Sequence, residues 1–254
     1  MENPGPFDQQ ADHWRRWAAF YDADSAGHLD PSPAVDALCD LAGDGPALEL
    51  GIGSGRLALP LAARGIPVCG IDASPEMIDI LHQRRAGLPV DARIADMADF
   101  RAPAPFPFPL VYVAASTFYL LGTADRQISC LRAIAGVLAA GGRFVIEAAL
   151  PHTVIGDGRQ IIVRHVDDGH AHLTIQAHDP TTQLVVSQEI TFKADGTCRM
   201  LPSVMRYVTL PELDLMASIA GMRLLDRYGG WDWRPLTTVS SRHVSIYEHN
   251  LSAV

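Results

Sequence analysis

At 254 residues the chain is long enough for one large α/β domain, or one domain with an added subdomain, and its 48% hydrophobic content can fill a sizeable core. A formal charge of -9 and a single lysine, Lys193, leave it without the clustered cations that polyanions require, so nucleic-acid and membrane partners are disfavoured. Four scattered cysteines, Cys39, Cys69, Cys130 and Cys198, form no Cys-x-x-Cys pair, which argues against a zinc ribbon or a disulfide framework. No basic stretch followed by an apolar core opens the chain, and no apolar run of about 18 residues occurs, so a cytoplasmic protein is expected.

In chain order, Ala11, Trp14, Ala18 and Tyr21 stand at helical spacing within residues 8–21, and a second helix follows Pro33. Strands and helices then alternate: strand 46–50, helix 55–64, strand 67–71, helix 75–86, strand 91–95, strand 110–115, helix 125–139, strand 143–149. Short, wholly apolar strands separated by helices are what a parallel sheet covered on both faces needs. Ser74-Pro75 supplies an N-cap, and Gly65 and Gly141-Gly142 stand where helices must stop. Pro60 inside an expected helix is tolerated only in its first turn.

Beyond Pro151 four antiparallel strands are expected, at 160–165, 171–178, 184–193 and 199–208, joined by turns at Asp167-Asp168-Gly169, Asp179-Pro180 and Ala194-Asp195-Gly196. A helix from Pro211 to about Ala220 and strands near 222–228 and 242–248 follow. The organisation is therefore a Rossmann-like fold: residues 1–45 form a helical lid, 46–150 a nucleotide-type core, 151–209 a small antiparallel β insertion serving substrate recognition or assembly, and 210–254 the completion of the core sheet.

The strand Ala47 to Leu50 runs into Gly51-x-Gly53-x-Gly55, where glycine lets the backbone turn and approach a ligand at the carboxyl end of the sheet. A dinucleotide fingerprint would need glycine at the sixth place, which Arg56 occupies. Asp72 ends the second strand, where a carboxylate either accepts both ribose hydroxyls of an adenosine or caps the next helix. Asp96 follows the third strand beside Met97, and Glu49 precedes the glycines, able to attract an ammonium.

Together these residues resemble the class I methyltransferases that use S-adenosylmethionine (SAM), with a seven-stranded α/β sheet. The resemblance covers residues 46–150. It implies Glu49, Gly51, Gly53, Gly55 and Arg56 around the methionine part and Asp72 with Ala73 at the ribose. Met77, Asp96 and Met97 fall at the adenine, and the Ala114 backbone faces the methionine ammonium. S-adenosylhomocysteine is then the product.

The sulfonium methyl is intrinsically electrophilic, so such a site mainly aligns a nucleophile and excludes water, with a base where a proton must leave. Tyr21, Asp24 and His178 are the candidate acid/base groups, and the family resemblance also points to the pair Tyr21-Asp22. Trp14, Trp17, Tyr119 and His172 are the candidate acceptor contacts. The Asn-Pro-Pro-aromatic tetrad of nucleic-acid and protein amino-methyltransferases is missing, and Leu120 stands about where aminosugar N-methyltransferases carry a histidine. No metal is expected, because no carboxylate or cysteine is seen to join the strand histidines His165, His170, His172 and His178.

The resulting expectation is C- or N-methylation of a small aromatic or heteroaromatic secondary metabolite, with a homodimer as the assembly considered. An aminosugar-type N-methyltransferase and a non-catalytic SAM-binding partner subunit are the alternatives.

Overall fold

The computed structural model describes residue 18 and residues 30–101, 107–155 and 158–250. Of the helix expected over 8–21, only Ala18 falls within them, buried and helical.

Seven strands make the main sheet: β1 (Ala47–Leu50), β2 (Val68–Asp72), β3 (Val90–Ile94), β4 (Phe108–Val113), β5 (Leu138–Ala149), β10 (Met222–Tyr228) and β11 (Arg242–His249). Their order across the sheet is β10-β11-β5-β4-β1-β2-β3. The central strands are apolar on both sides because both sides are covered. Leu48 and Leu50 of β1 and Val111 and Val113 of β4 enter one layer of core, while Ala47, Leu110 and Tyr112 enter the other. β1 pairs in parallel with both β2 and β4. The strand order therefore reverses at β1 and opens a crevice beyond its carboxyl end. The antiparallel β11 joins β5 to β10.

Helix α1 (Ser32–Ala42) buries Val35, Leu38 and Ala42 in the second core layer. Helix α2 (Ala58–Ala63) starts three residues later than expected, which puts Pro60 in its first turn, where a missing N–H costs nothing. Helix α3 (Pro75–Arg84) is capped by Ser74, whose hydroxyl accepts from Met77 N at 3.2 Å. Helix α4 (Ala124–Val137) stops at Val137, four residues before Gly141. Gly141-Gly142 is thus no helix stop: it lies within β5 at an irregularity in the register with β4, and a Cβ on Gly142 would meet Phe108 O at 3.0 Å. After the short α5 (Pro151–Val154) comes a second sheet. A capping box of Thr209 and Glu212 later opens α6 (Leu210–Ile219).

That second sheet is a four-stranded antiparallel meander of β6 (Arg159–Val166), β7 (His170–Asp179), β8 (Leu184–Lys193) and β9 (Cys198–Arg206). Its strands fall within two residues of the expected ranges. The buried Arg206 guanidinium ties it to the main fold, donating to Gln127 Oε1 at 2.7 Å and to Glu212 Oε1 at 2.6 Å. β9 also packs against the 3-10 turn Thr117–Leu121 that follows β4. No helix among the described residues is long and apolar enough to cross a membrane.

Candidate active site

A cavity opens in the crevice beyond β1 to β4. Ten of the eleven residues expected around a nucleoside ligand line it: Glu49, Gly51, Gly53, Arg56, Asp72, Ala73, Met77, Asp96, Met97 and Ala114. The glycine loop is built by hydrogen bonds to the neighbouring strand: Gly51 N donates to Ile71 O at 2.8 Å, and Gly53 N to Asp72 Oδ2 at 2.8 Å. All three glycines have positive φ, and a Cβ on Gly51 would stand 2.4 Å from Thr117 Cγ2. Gly55 is the exception among the eleven. Its missing Cβ makes room for Leu59 and Leu81, so it serves the packing of α2 and α3 rather than the cavity wall.

The three acids are each held differently. Asp72 accepts from Gly53 N and from Ser74 N at 2.9 Å, so it both fixes the loop and supports the start of α3. Burial raises its pKa against those two bonds. Asp96 forms a two-oxygen pair with Arg126 of α4, at 3.0 and 2.9 Å, and also accepts from Ala98 N. Glu49 is buried and accepts from Tyr112 OH at 2.8 Å. Desolvation pushes its pKa up to about 8, opposed by that hydrogen bond and by the charge of Arg56.

A second cavity lies alongside and shares Arg56 and Ala115 with the first. Its wall carries Asp30, Ser116, Trp231, Arg242 and the buried Glu147. Glu147 accepts from Ala115 N at 2.6 Å and from Arg242 Nη1 at 2.9 Å. Ala115 and Ser116 are both left-handed, with φ of 55 and 60, a costly conformation for residues with a Cβ. The Glu147 side chain, the Glu147 carbonyl and the Ala149 amide together hold them there.

That strained turn decides the fate of Tyr119. The turn aims Thr117 and Leu120 at the first cavity, while Tyr119 is buried and donates to Ala149 O at 2.8 Å. Tyr119 lines neither cavity and is a core residue. His178 and His172 also stand on neither wall: His178 Nε2 lies 3.0 Å from Tyr207 OH, and His172 Nε2 lies 2.9 Å from Glu189 Oε2. The other expected groups, Trp14, Trp17, Tyr21, Asp22 and Asp24, lie outside the described residues.

The strand histidines do gain a carboxylate. Asp167 sits 2.8 Å from His165 Nε2 and 3.2 Å from His170 Nδ1, and the three ligand atoms lie within 4.8 Å of one another. Asp167 also accepts from the amides of Gly169 and His170, so the group closes the β6–β7 hairpin turn. The His165 contact first, and then the amides of His170 and Gly169, hold its carboxyl well below the usual range.

Sequence reasoning missed Glu147, Arg242 and Trp231. Glu147 reads as one polar position in an apolar strand, and that single departure from the pattern was the available signal. Trp231 comes to the site from the distant β10–β11 connection and Arg242 from the first position of β11, which no local pattern reports.

A family model described as a methyltransferase domain matches residues 47–142. The solved structure of the CcbJ methyltransferase from Streptomyces caelestis is 31% identical, covers 92% of this chain and 96% of its own, and superposes with a TM-score of 0.86. The chain belongs to the class I SAM-dependent methyltransferases. SAM is accordingly its methyl donor.

Among curated proteins, the cypemycin N-terminal methyltransferase of a Streptomyces species is 29% identical over 79% of this chain and 82% of its own. The ubiquinone biosynthesis O-methyltransferase of Xylella fastidiosa strain 9a5c is 34% identical, but over only 39% of this chain and 40% of its own. SAM-bound CalS10 from Micromonospora echinaspora, 20% identical with a TM-score of 0.69, shares the fold.

Proposed function

We propose that this enzyme N-methylates an amine on a polar small molecule in natural-product tailoring, with the acceptor in the second cavity. The carrying observation is Glu147, a buried carboxylate held in place by Ala115 N and Arg242 on the wall of that cavity. Four residues of this wall are charged, and Trp231 is its one aromatic among the described residues. Such a wall suits a polar amine better than the aromatic or heteroaromatic acceptor expected from sequence alone. The relative that acts on an N-terminus, aligned over most of this chain, favours the same reading.

In this reading Asp72 takes the ribose hydroxyls on the lone pairs that Gly53 N and Ser74 N leave open, and Asp96 and Met97 meet the adenine. Glu49 draws the methionine ammonium. When bound, SAM would supply an electrophilic methyl on its sulfonium. Glu147 attracts the acceptor as its ammonium ion and takes up the proton that must leave before the nitrogen lone pair can attack.

The test is methyl transfer from 13C-methyl SAM to a panel of small amines, phenols and indoles, with the labelled position read by NMR. A label on nitrogen is expected, together with a kcat lower by roughly 100-fold in Glu147→Gln, as for the loss of a general base. A label on carbon or oxygen, or full turnover in Glu147→Gln, overturns the reading.

A further inference from the structure

The four-stranded sheet β6–β9 is amphipathic in the reverse of the usual sense. Side chains alternate between its faces, and hydrogen bonds identify one face: Arg164 Nε donates to Thr174 Oγ1, which with His172 meets Glu189. Gln176 and Ser187 share this polar face, and Thr174, Gln176 and Ser187 are all buried. The opposite face carries Ile161, Val163, Ile175, Val186, Phe192 and Met200, all exposed, Ile161 at 67% and Val163 at 62%. An antiparallel sheet with one face in water ordinarily turns its polar side outward.

We infer that this apolar face is the contact between two copies of the chain, packed sheet on sheet about a two-fold axis. Three observations select a second copy over other occupants. First, between its ends the face holds no Asp, Glu, Lys or Arg. Two molecules each carrying a charge of -9 repel over their remaining surface and approach at least cost where charge is missing, whereas a basic partner or an anionic lipid surface would call for charge on the face. Second, the area suffices. Four strands of 8 to 10 residues, spaced about 4.8 Å apart with a rise of about 3.4 Å per residue, present roughly 600 Å². Two such faces bury roughly 1,200 Å², within the range of specific stable interfaces. Third, a twisted sheet face is self-complementary: two of them stack with strands about 30° apart, as the two halves of a β-sandwich do, and the contact closes on itself. The face includes no wall residue of either cavity, so both sites stay open in the pair.

Sedimentation velocity at micromolar concentration tests this. The wild-type chain should sediment at twice its 27.5 kDa mass, and the double variant Val186→Glu, Met200→Glu at half the wild-type value. Both positions are exposed, so the variant should keep its circular dichroism spectrum and bind SAM with the wild-type Kd. Val163→Arg, on a different strand, should act the same way. A wild-type monomer overturns the inference, whether or not it also floats with phospholipid vesicles. So does a dimer that survives the charged substitutions with its spectrum intact.

Discussion

The Tyr112 hydroxyl donates to a Glu49 carboxylate oxygen at 2.8 Å in a place where both residues are buried. Burial outweighs that hydrogen bond and raises the Glu49 pKa to about 8, so in the unliganded protein at pH 7 the group is mostly protonated. If the methionine ammonium sits beside Glu49, binding favours the ionised form and expels a proton. SAM affinity should then rise with pH up to about 8, by at most tenfold per pH unit. Titration calorimetry in buffers of different ionisation enthalpy should show release approaching one proton at pH 7. Glu49→Gln should abolish both the release and the pH slope and weaken binding by roughly tenfold or more, the scale of a lost charge-assisted hydrogen bond. The same shift has a stability sign. A carboxyl whose folded pKa is raised contributes stability below its unfolded value near 4.5, and this is lost as pH rises through about 8. Unliganded Glu49→Gln should therefore melt higher than wild type at pH 8 to 9.

Gly70 in the middle of β2 is a steric requirement of the glycine loop on the neighbouring strand. A Cβ there would lie 2.3 Å from Ile52 Cδ1 and 2.8 Å from Ile52 Cβ. Since Ile52 lies between Gly51 and Gly53, Gly70→Ala should push the loop outward, costing about 1–3 kcal/mol in thermal unfolding as overpacking does and weakening SAM binding with it. Normal melting and normal affinity in this variant would show that the loop yields freely.

How much of this was legible beforehand follows the range of the forces involved. Most of the first cavity's lining was readable because its acids and glycines stand at the ends of strands whose apolar pattern announces them, and the parallel register puts those ends together. The strand ends of Glu49, Asp72 and Asp96 needed no contact information. Tyr119 misled because the strained turn at Ala115-Ser116 reverses which side chains reach the cavity, and nothing in Ala-Ser signals left-handed backbone. Asp167 was overlooked as a partner of His165 and His170 because a bulge in β6 and a side-chain turn bring them together. The β insertion was readable as strands, but its inverted polarity emerges only when the alternation is set against exposure.

Tyr119→Phe follows directly from that turn. The lost hydroxyl leaves Ala149 O without its donor, so stability should fall by about 1–2 kcal/mol in urea unfolding. KM for the acceptor should not change, since the ring lines neither cavity. A selective rise in KM would return Tyr119 to the acceptor site.

Arg126 reaches from α4 to take both oxygens of Asp96. It acts as a positioning residue, orienting a carboxylate proposed to meet the adenine amino group. Arg126→Met frees that carboxylate, so Kd for SAM should rise by roughly 3- to 10-fold, the cost of a misaligned hydrogen bond. The discriminating readout is the ratio of affinities for SAM and its N6-methyladenine analogue: it should shrink in Arg126→Met and stay constant if the pair merely braces the helix.

His243 on β11 is buried, with Nδ1 2.8 Å from Ser245 Oγ and Nε2 buried without a partner. Desolvation first, and then the nearby Arg227 charge, lower its pKa from 6.5 to about 3, while Asp214 opposes them. The unfolded chain therefore binds a proton that the folded one refuses between about pH 6.5 and 3. The stability that the neutral ring allows is present above 6.5 and lost as pH falls through that window, by up to a few kcal/mol at about 1.4 kcal/mol per pKa unit. His243→Asn keeps a group able to bond Ser245 but cannot take up the proton. Its unfolding free energy should fall less steeply than that of wild type between pH 6 and 4, with the two curves converging toward neutrality apart from a constant packing cost. Parallel curves across that range would mean that His243 is protonated in the fold, with Asp214 as the counterion that outweighs burial.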